Sequence, residues 1–290
     1  MTGDLEVNTS RFVKSADGTE IYTDATGSRS PSTPVLVLVH GGFMCKEAFN
    51  PIFDDPKWTS SLFLVRYDAR GHGRSGKSDT EEAWESKRFA EDFEAVCREF
   101  EVREAYVLGW SIGAAVLADI MAYTTPVNIL GFINVAGLVY VDPSVNSHVA
   151  SRLAREWGPP FLFPPSGDAF QESCSQFIHI CSDEISPELF SILMEGMAMQ
   201  PRGIAARVCV RKQNPENMLE EARGGRLPLL AISGLKDKAL YTEKLKGELE
   251  ALGWKRMTYR YLQDADHIPW VSCAEEFREI VLTWMKELTP

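Results

Sequence analysis

Pro34 is followed by five uninterrupted aliphatic residues, Val35-Leu36-Val37-Leu38-Val39, and no other feature of the chain narrows its fold as much. Successive side chains of an extended strand point to opposite faces, so such a run is stable only where both faces are covered, as in a mainly parallel sheet. Similar runs recur at Leu62–Tyr67, Ala105–Leu108, Leu130–Val135, Leu229–Ser233 and Thr258–Leu262. Between them, Glu85–Phe100, Ile112–Tyr123, Tyr241–Leu252 and Ala274–Lys286 repeat apolar residues every three or four positions, the period of a helix. Strands alternating with helices specify a doubly wound α/β sheet. Ahead of it, Arg11–Val13 and Glu20–Thr23 read as two short strands joined by a tight turn at Ala16-Asp17-Gly18.

The alternation breaks between about Pro143 and Arg226, where Pro159-Pro160 and Pro164-Pro165 interrupt an irregular or helical stretch, and core strands then resume. The chain is therefore expected to be an α/β core, residues 1–142 and 227–290, with a helical cap inserted at 143–226. No internal repeat is visible.

Composition excludes several functions. A formal charge of -11 with no Lys/Arg cluster speaks against nucleic acid and against an anionic membrane surface as partners. No apolar stretch approaches the roughly 18 residues needed to span a bilayer. Met1 to Ser10 is polar and acidic rather than basic and then apolar, so no leader is read there and a cytoplasmic location is expected. The six cysteines are scattered without the spacing of a zinc or redox motif, and are expected to be reduced and mostly buried.

The sharpest chemical signal is Gly109-Trp110-Ser111-Ile112-Gly113, which follows one strand and opens a helix. A serine at such a turn adopts a strained backbone that lifts its hydroxyl above the sheet edge, while the helix start favours negative charge beside it. Upstream, Val35–Val39 runs into His40-Gly41-Gly42-Phe43, where glycines past a strand end allow a backbone amide to join that of Ile112 around an oxyanion. His40 itself is expected to pack the loop.

These motifs, with Asp68-Ala69-Arg70-Gly71-His72-Gly73-Arg74-Ser75, Gly234 to Asp237 and Asp266-His267-Ile268-Pro269, occur in an order that resembles the capped branch of the α/β-hydrolase superfamily over nearly the whole length. The resemblance implies a nucleophilic Ser111, a general base His267 and an orienting acid Asp237, with Asp142 as the alternative acid. It also implies an oxyanion hole from Ile112 and either Gly42 or Phe43. His72 is implied to be structural, and Asp266 a solvated or loop-capping carboxylate. Of five histidines, His40 and His72 fall in motif loops and His148 and His179 in the cap, which leaves His267 best placed. An imidazole with an unperturbed pKa of about 6.5 suits proton transfer at neutral pH.

Trp110, with Trp157, Phe161 and Met194 of the cap, is expected to line a pocket for a small hydrophobic substrate. A serine at the nucleophile position and a cap without tyrosine from Ser144 to Pro228 separate the chain from epoxide hydrolases of this branch, and the serine separates it from haloalkane dehalogenases. The expected activity is cleavage of a small carboxylic ester or lactone through an acyl-enzyme, with no metal or organic cofactor. Perhydrolysis of the haloperoxidase kind, carbon-carbon bond hydrolysis and thioesterase or acyl-transfer chemistry use the same triad. A ligand-binding receptor on the same fold is the alternative of another class.

Overall fold

A computed structural model describes residues 9–123, 125–208 and 210–288. The leader-free reading of Met1 to Ser10 thus falls almost wholly outside the described residues, as does Cys209. In chain order the strands are β1 (Arg11–Lys14), β2 (Glu20–Thr26), β3 (Val35–Val39), β4 (Phe63–Tyr67), β5 (Glu104–Trp110), β6 (Asn128–Val135), β7 (Leu229–Gly234) and β8 (Met257–Leu262). They form one sheet in the order β1-β2-β4-β3-β5-β6-β7-β8, antiparallel from β1 to β4 and parallel from β4 to β8.

β3 shows why its sequence is continuous rather than alternating. Leu36 and Leu38 enter one buried cluster and Val37 and Val39 the other, so each face of the sheet takes every second residue. β5 divides likewise, with Tyr106, Leu108 and Trp110 on the first face and Ala105 and Val107 on the second. On the second face lie α1 (Ser86–Glu99) and α2 (Val116–Ala122), whose buried Phe93, Val96, Leu117 and Ile120 follow the helical period.

Between β6 and β7 come α3 (Pro143–Val149), α4 (Arg152–Leu162), α5 (Gly167–Cys181), α6 (Pro187–Ala198), α7 (Arg202–Val208) and α8 (Glu216–Gly224). Asp142, Ser151, Ser166 and Ser186 cap α3 to α6 by accepting from first-turn amides. Two expectations need correction here. Pro159 and Pro160 do not interrupt the chain but lie inside α4 near its end, where few further helical bonds are forfeited. α8 buries Met218, Leu219 and Ala222 in the second-face cluster against the sheet, so it belongs to the core layer although it falls within 143–226. A parallel connection from β6 to β7 needs a crossover element on the sheet, and α8 supplies it.

The helices α9 (Thr242–Ala251) and α10 (Ala274–Leu288) complete the alternation, with Phe277, Val281 and Trp284 of α10 on the first face. Trp157, Phe161, Ile178, Leu193 and Met197 of α4 to α6 join that same cluster, so the insertion packs continuously with the sheet. Cys45, Cys97, Cys174 and Cys181 are free and buried, and Cys273 is free and half-buried. Among the described residues no helix is long and apolar enough to cross a membrane.

Candidate active site

The loops after β3, β4, β5, β7 and β8 leave a parallel array at the same edge, and that edge gathers the chemistry. Ser111 ends β5 in a 3-10 turn, Ser111–Ala115, with φ 55°, the left-handed region that costs a non-glycine residue on the order of 1–2 kcal/mol. The flanking glycines make this bend possible. A Cβ on Gly109 would lie 2.5 Å from Ala114 Cα, and one on Gly113 would lie 2.3 Å from the His40 carbonyl oxygen.

The preceding loop closes on the elbow. A Cβ on Gly42 would lie 2.8 Å from Ile112 Cγ2, and Phe43 is itself left-handed with φ 65°. Among the described residues, the amides of Gly42, Phe43 and Ile112 donate to no backbone carbonyl. A cavity of about 30 Å³ runs from Gly41, Gly42, Ile112 and Gly113 to Tyr67, Phe89, Asp92 and Arg211, and neither Ser111 nor His267 lines it.

His267 and Asp237 meet as the sequence suggests. The imidazole Nδ1 lies 2.8 Å from Asp237 Oδ2, and both side chains are buried. Asp237 is fixed through its other oxygen, which accepts from the amides of Ala239 at 2.7 Å and Leu240 at 3.0 Å. A carboxylate only accepts, so Nδ1 carries a proton, and in the neutral imidazole Nε2 keeps a lone pair for a further partner. The elbow reaches the same loop through Trp110, whose indole N–H donates to the His267 carbonyl at 2.9 Å. Among the described residues, no hydrogen bond joins the Ser111 hydroxyl to the imidazole; the serine is half-buried on the elbow, next in sequence to the Trp110 that contacts His267.

His40 and His72 are buried and bonded within the motif loops. His40 pairs Nδ1 with the Gly41 carbonyl at 2.7 Å and accepts from the Ala69 amide at Nε2, at 3.0 Å, which ties the loops after β3 and β4 together. Burial pushes its pKa down to about 4, so it is neutral in the folded protein. His72 is likewise buried, with Nδ1 on the Arg70 carbonyl at 3.1 Å.

The Asp68 to Ser75 segment is a brace. Asp68 accepts from the amides of Lys46 and Arg74, each at 2.7 Å, and Arg70 grips Asp92 of α1 through Nε at 2.7 Å and Nη2 at 2.6 Å. Burial, with the Glu47 charge adding to it, pushes the Asp68 carboxyl up to about 7 against those two amide bonds.

Several expected residues have other roles. Asp142 accepts from Ser144 and Val145 as the cap of α3 and does not meet His267. Asp266 is a loop-capping carboxylate but is buried rather than solvated, because Ser182, Ile268 and Ser272 all donate to it. Trp110, expected in a pocket, is 1% exposed and packs against Trp270, Phe49 and His267. Trp157 and Phe161 stack on each other at 4.4 Å in the interior of the insertion, while Met194 remains half-buried. Phe43 meets this stack, its ring 4.8 Å from Phe161, 5.7 Å from Trp157 and 5.8 Å from Phe177. The loop after β3 therefore carries an aromatic side chain into the insertion, a contact for which the sequence offers no local signal. A groove of about 450 Å³ between α4 and α5 is lined by Trp157, His179 and Lys238. Among the described residues no group of His, Cys, Asp and Glu is placed to hold a metal ion.

Residues 36–280 match the model of the alpha/beta hydrolase family. A proline iminopeptidase of Lactiplantibacillus plantarum is 29% identical over 97 residues, 33% of this chain and 34% of that protein, so the chain spans about a third of the length of this curated relative. Among solved structures, the esterase RhEst1 of Rhodococcus sp. ECU1013 superposes with a TM-score of 0.82 at 22% identity, covering 97% of this chain and 99% of that one. A hydrolase from Pseudomonas aeruginosa PA01 gives 0.74 at 21% identity, with 96% and 98% covered. At these identities the two structures share the fold with this chain.

Proposed function

The chain belongs to the α/β-hydrolase family, and on that premise we propose that it is a serine hydrolase that cleaves a small hydrophobic carboxylic ester or lactone through an acyl-enzyme on Ser111. The observation that carries this reading is the buried Asp237–His267 pair at 2.8 Å, anchored through Trp110 to the strained turn that presents Ser111.

The chemistry follows from the geometry. In this reading the Ser111 Oγ hydrogen-bonds to Nε2, a contact that in hydrolases commonly tightens only with substrate bound. As Oγ attacks the ester carbonyl, His267 takes its proton, and Asp237 stabilises the imidazolium that results. Negative charge on the former carbonyl oxygen is met by the Ile112 amide and that of Gly42 or Phe43; one such donor is worth on the order of 10²–10³ in rate. Collapse expels the alcohol with the proton from His267. Water, deprotonated by the same imidazole, then releases the acid and restores Ser111. No step calls for a cofactor. A hydrophobic acyl group is favoured because Phe43, next to Gly42, is only half-buried and sets an aromatic ring in the loop that would supply the oxyanion amide.

Covalent labelling with a fluorophosphonate tests the reading. The folded wild type should be labelled at a single serine, and Ser111→Ala should lose both the label and turnover of a p-nitrophenyl ester. A folded but unlabelled wild type overturns it.

A further inference from the structure

The loop that carries His267 is held from outside the sheet. α5 ends at Cys181, whose carbonyl accepts the His267 amide at 3.1 Å. The next residue, Ser182, is 1% exposed and donates its hydroxyl to Asp266 Oδ2 at 2.5 Å. The second oxygen of Asp266 accepts from the Ile268 amide and from the Ser272 hydroxyl, both at 2.9 Å. One buried carboxylate thus fixes the chain on both sides of His267, and the donor to its free end comes from the insertion.

The insertion grips the Asp237 loop in the same way. The Ser151 hydroxyl donates to the Lys238 carbonyl at 2.6 Å, the Ser151 amide to the Ala239 carbonyl at 2.9 Å, and the Tyr241 amide to the Val149 carbonyl at 2.8 Å. The loops bearing the acid and the base are therefore each clasped by the helices that cover the sheet edge.

We propose that Ser182 is a positioning residue for the His267 imidazole, acting through Asp266. This rests on the reading of Ser111, Asp237 and His267 given above. With its amide held by Cys181, its carbonyl by Trp110 and Nδ1 by Asp237, the imidazole has one direction left for Nε2. Deleting the Ser182 hydroxyl leaves Asp266 Oδ2 buried without its donor, and the carboxylate must turn or admit water. Either response moves the Ile268 and Ser272 contacts and carries the imidazole with them. A misplacement of about 1 Å at a reacting group costs roughly 10²-fold in rate.

The test compares wild type with Ser182→Ala and Ser182→Thr in p-nitrophenyl ester hydrolysis and fluorophosphonate labelling, with proton NMR of the hydrogen bridging His267 and Asp237. In Ser182→Ala, kcat should fall about 10- to 100-fold with KM within about 2-fold, and labelling should slow in parallel. The bridging resonance should shift or broaden, and Ser182→Thr, which keeps the hydroxyl, should recover most of the loss. Should the alanine variant be insoluble, Ser182→Cys, similar in size with a weaker donor, makes the same comparison. Labelled wild type with an alanine variant of unchanged kcat and resonance overturns the proposal while leaving Ser111 as nucleophile. Wild type without label overturns the underlying reading instead.

Discussion

The sheet edge and the helical insertion meet over the same residues but are held in place differently. At the edge, Asp237 and Ser111 are fixed by neighbours close in sequence, Asp237 by the amides of Ala239 and Leu240 and Ser111 by the approach of Gly109 to Ala114, while His267 is held from Cys181 and Trp110. In the insertion the bonds run across long stretches of chain, from Ser182 to Asp266 and from Ser151 to Lys238, and Phe43 of the first loop fills its aromatic interior. Ser111 and Asp237 thus sit on short-range geometry, and His267 on bonds that cross the chain. Apart from Ser151 and Ser182, which clasp the loops of the acid and the base, the insertion is built by packing, and its sequence can change wherever the rings still fit.

The largest effect should come from the short-range side. Asp237→Asn preserves shape but presents an amide N–H or carbonyl where only a carboxylate both orients and charges the pair, so kcat on a p-nitrophenyl ester should drop on the order of 10⁴-fold with the fold intact by circular dichroism. A drop below tenfold would mean that the buried pair is structural. It would also erase the contrast between edge and insertion.

Next is the packing side. Phe161 is fully buried, with Trp157 stacked on it, Phe43 against its edge and the Arg202 guanidinium 4.3 Å from its ring centre. Phe161→Ala should cost about 3–5 kcal/mol of stability in urea unfolding. Because the same cluster contains Leu36 and Leu108 of the sheet, one cooperative transition should shift. A separate early transition would show instead that the insertion unfolds by itself.

These two regions also differ in what the sequence discloses. The strands were legible because burial on both faces imposes continuous aliphatic runs, and Val35–Val39 is a strand over those residues. Ser111 and His267 were legible as a motif and a position in a family order. Trp110 was not: an indole beside the nucleophile reads as a pocket wall, yet its N–H finds a partner 157 residues away in the His267 carbonyl. Ser182 gave no signal for the same reason, and Asp266 read only as a solvated or loop-capping carboxylate, since tertiary structure alone pairs the two. The capping serines of the insertion lay in plain view ahead of α4, α5 and α6, but caps report where helices start and not where they pack.

A smaller effect should come from His40, which joins two loops of the edge. Its folded pKa of about 4 lies below the unfolded value of about 6.5, so unfolding takes up a proton between those limits. Stability from this group is therefore complete above the unfolded value and is lost as pH falls through the window, by on the order of 3 kcal/mol. Asp68, raised to about 7, acts in the opposite sense between about 4 and 7, its share falling as pH rises. Comparing wild type with His40→Gln cancels the Asp68 share. The difference in thermal stability should shrink steadily from pH 7 to pH 4, and a constant difference would mean that His40 is not held neutral.

The smallest effect separates the two acids that the sequence left in competition. Asp142 stands just beyond β6, where an acid serving His267 is conceivable on order alone, but its carboxylate is turned to Ser144 and Val145 at the start of α3. Its work there is to satisfy amides that have no helical partner, and the loss of such a cap costs about 1 kcal/mol. Asp142→Ala should lower the unfolding midpoint slightly and leave kcat and KM on the ester unchanged. Because the cap faces solvent, water can replace the lost acceptor, which holds the cost to that scale. A fall in kcat comparable to that of Asp237→Asn would move the acid from the β7 loop to the β6 loop, and with it the reason for the buried pair.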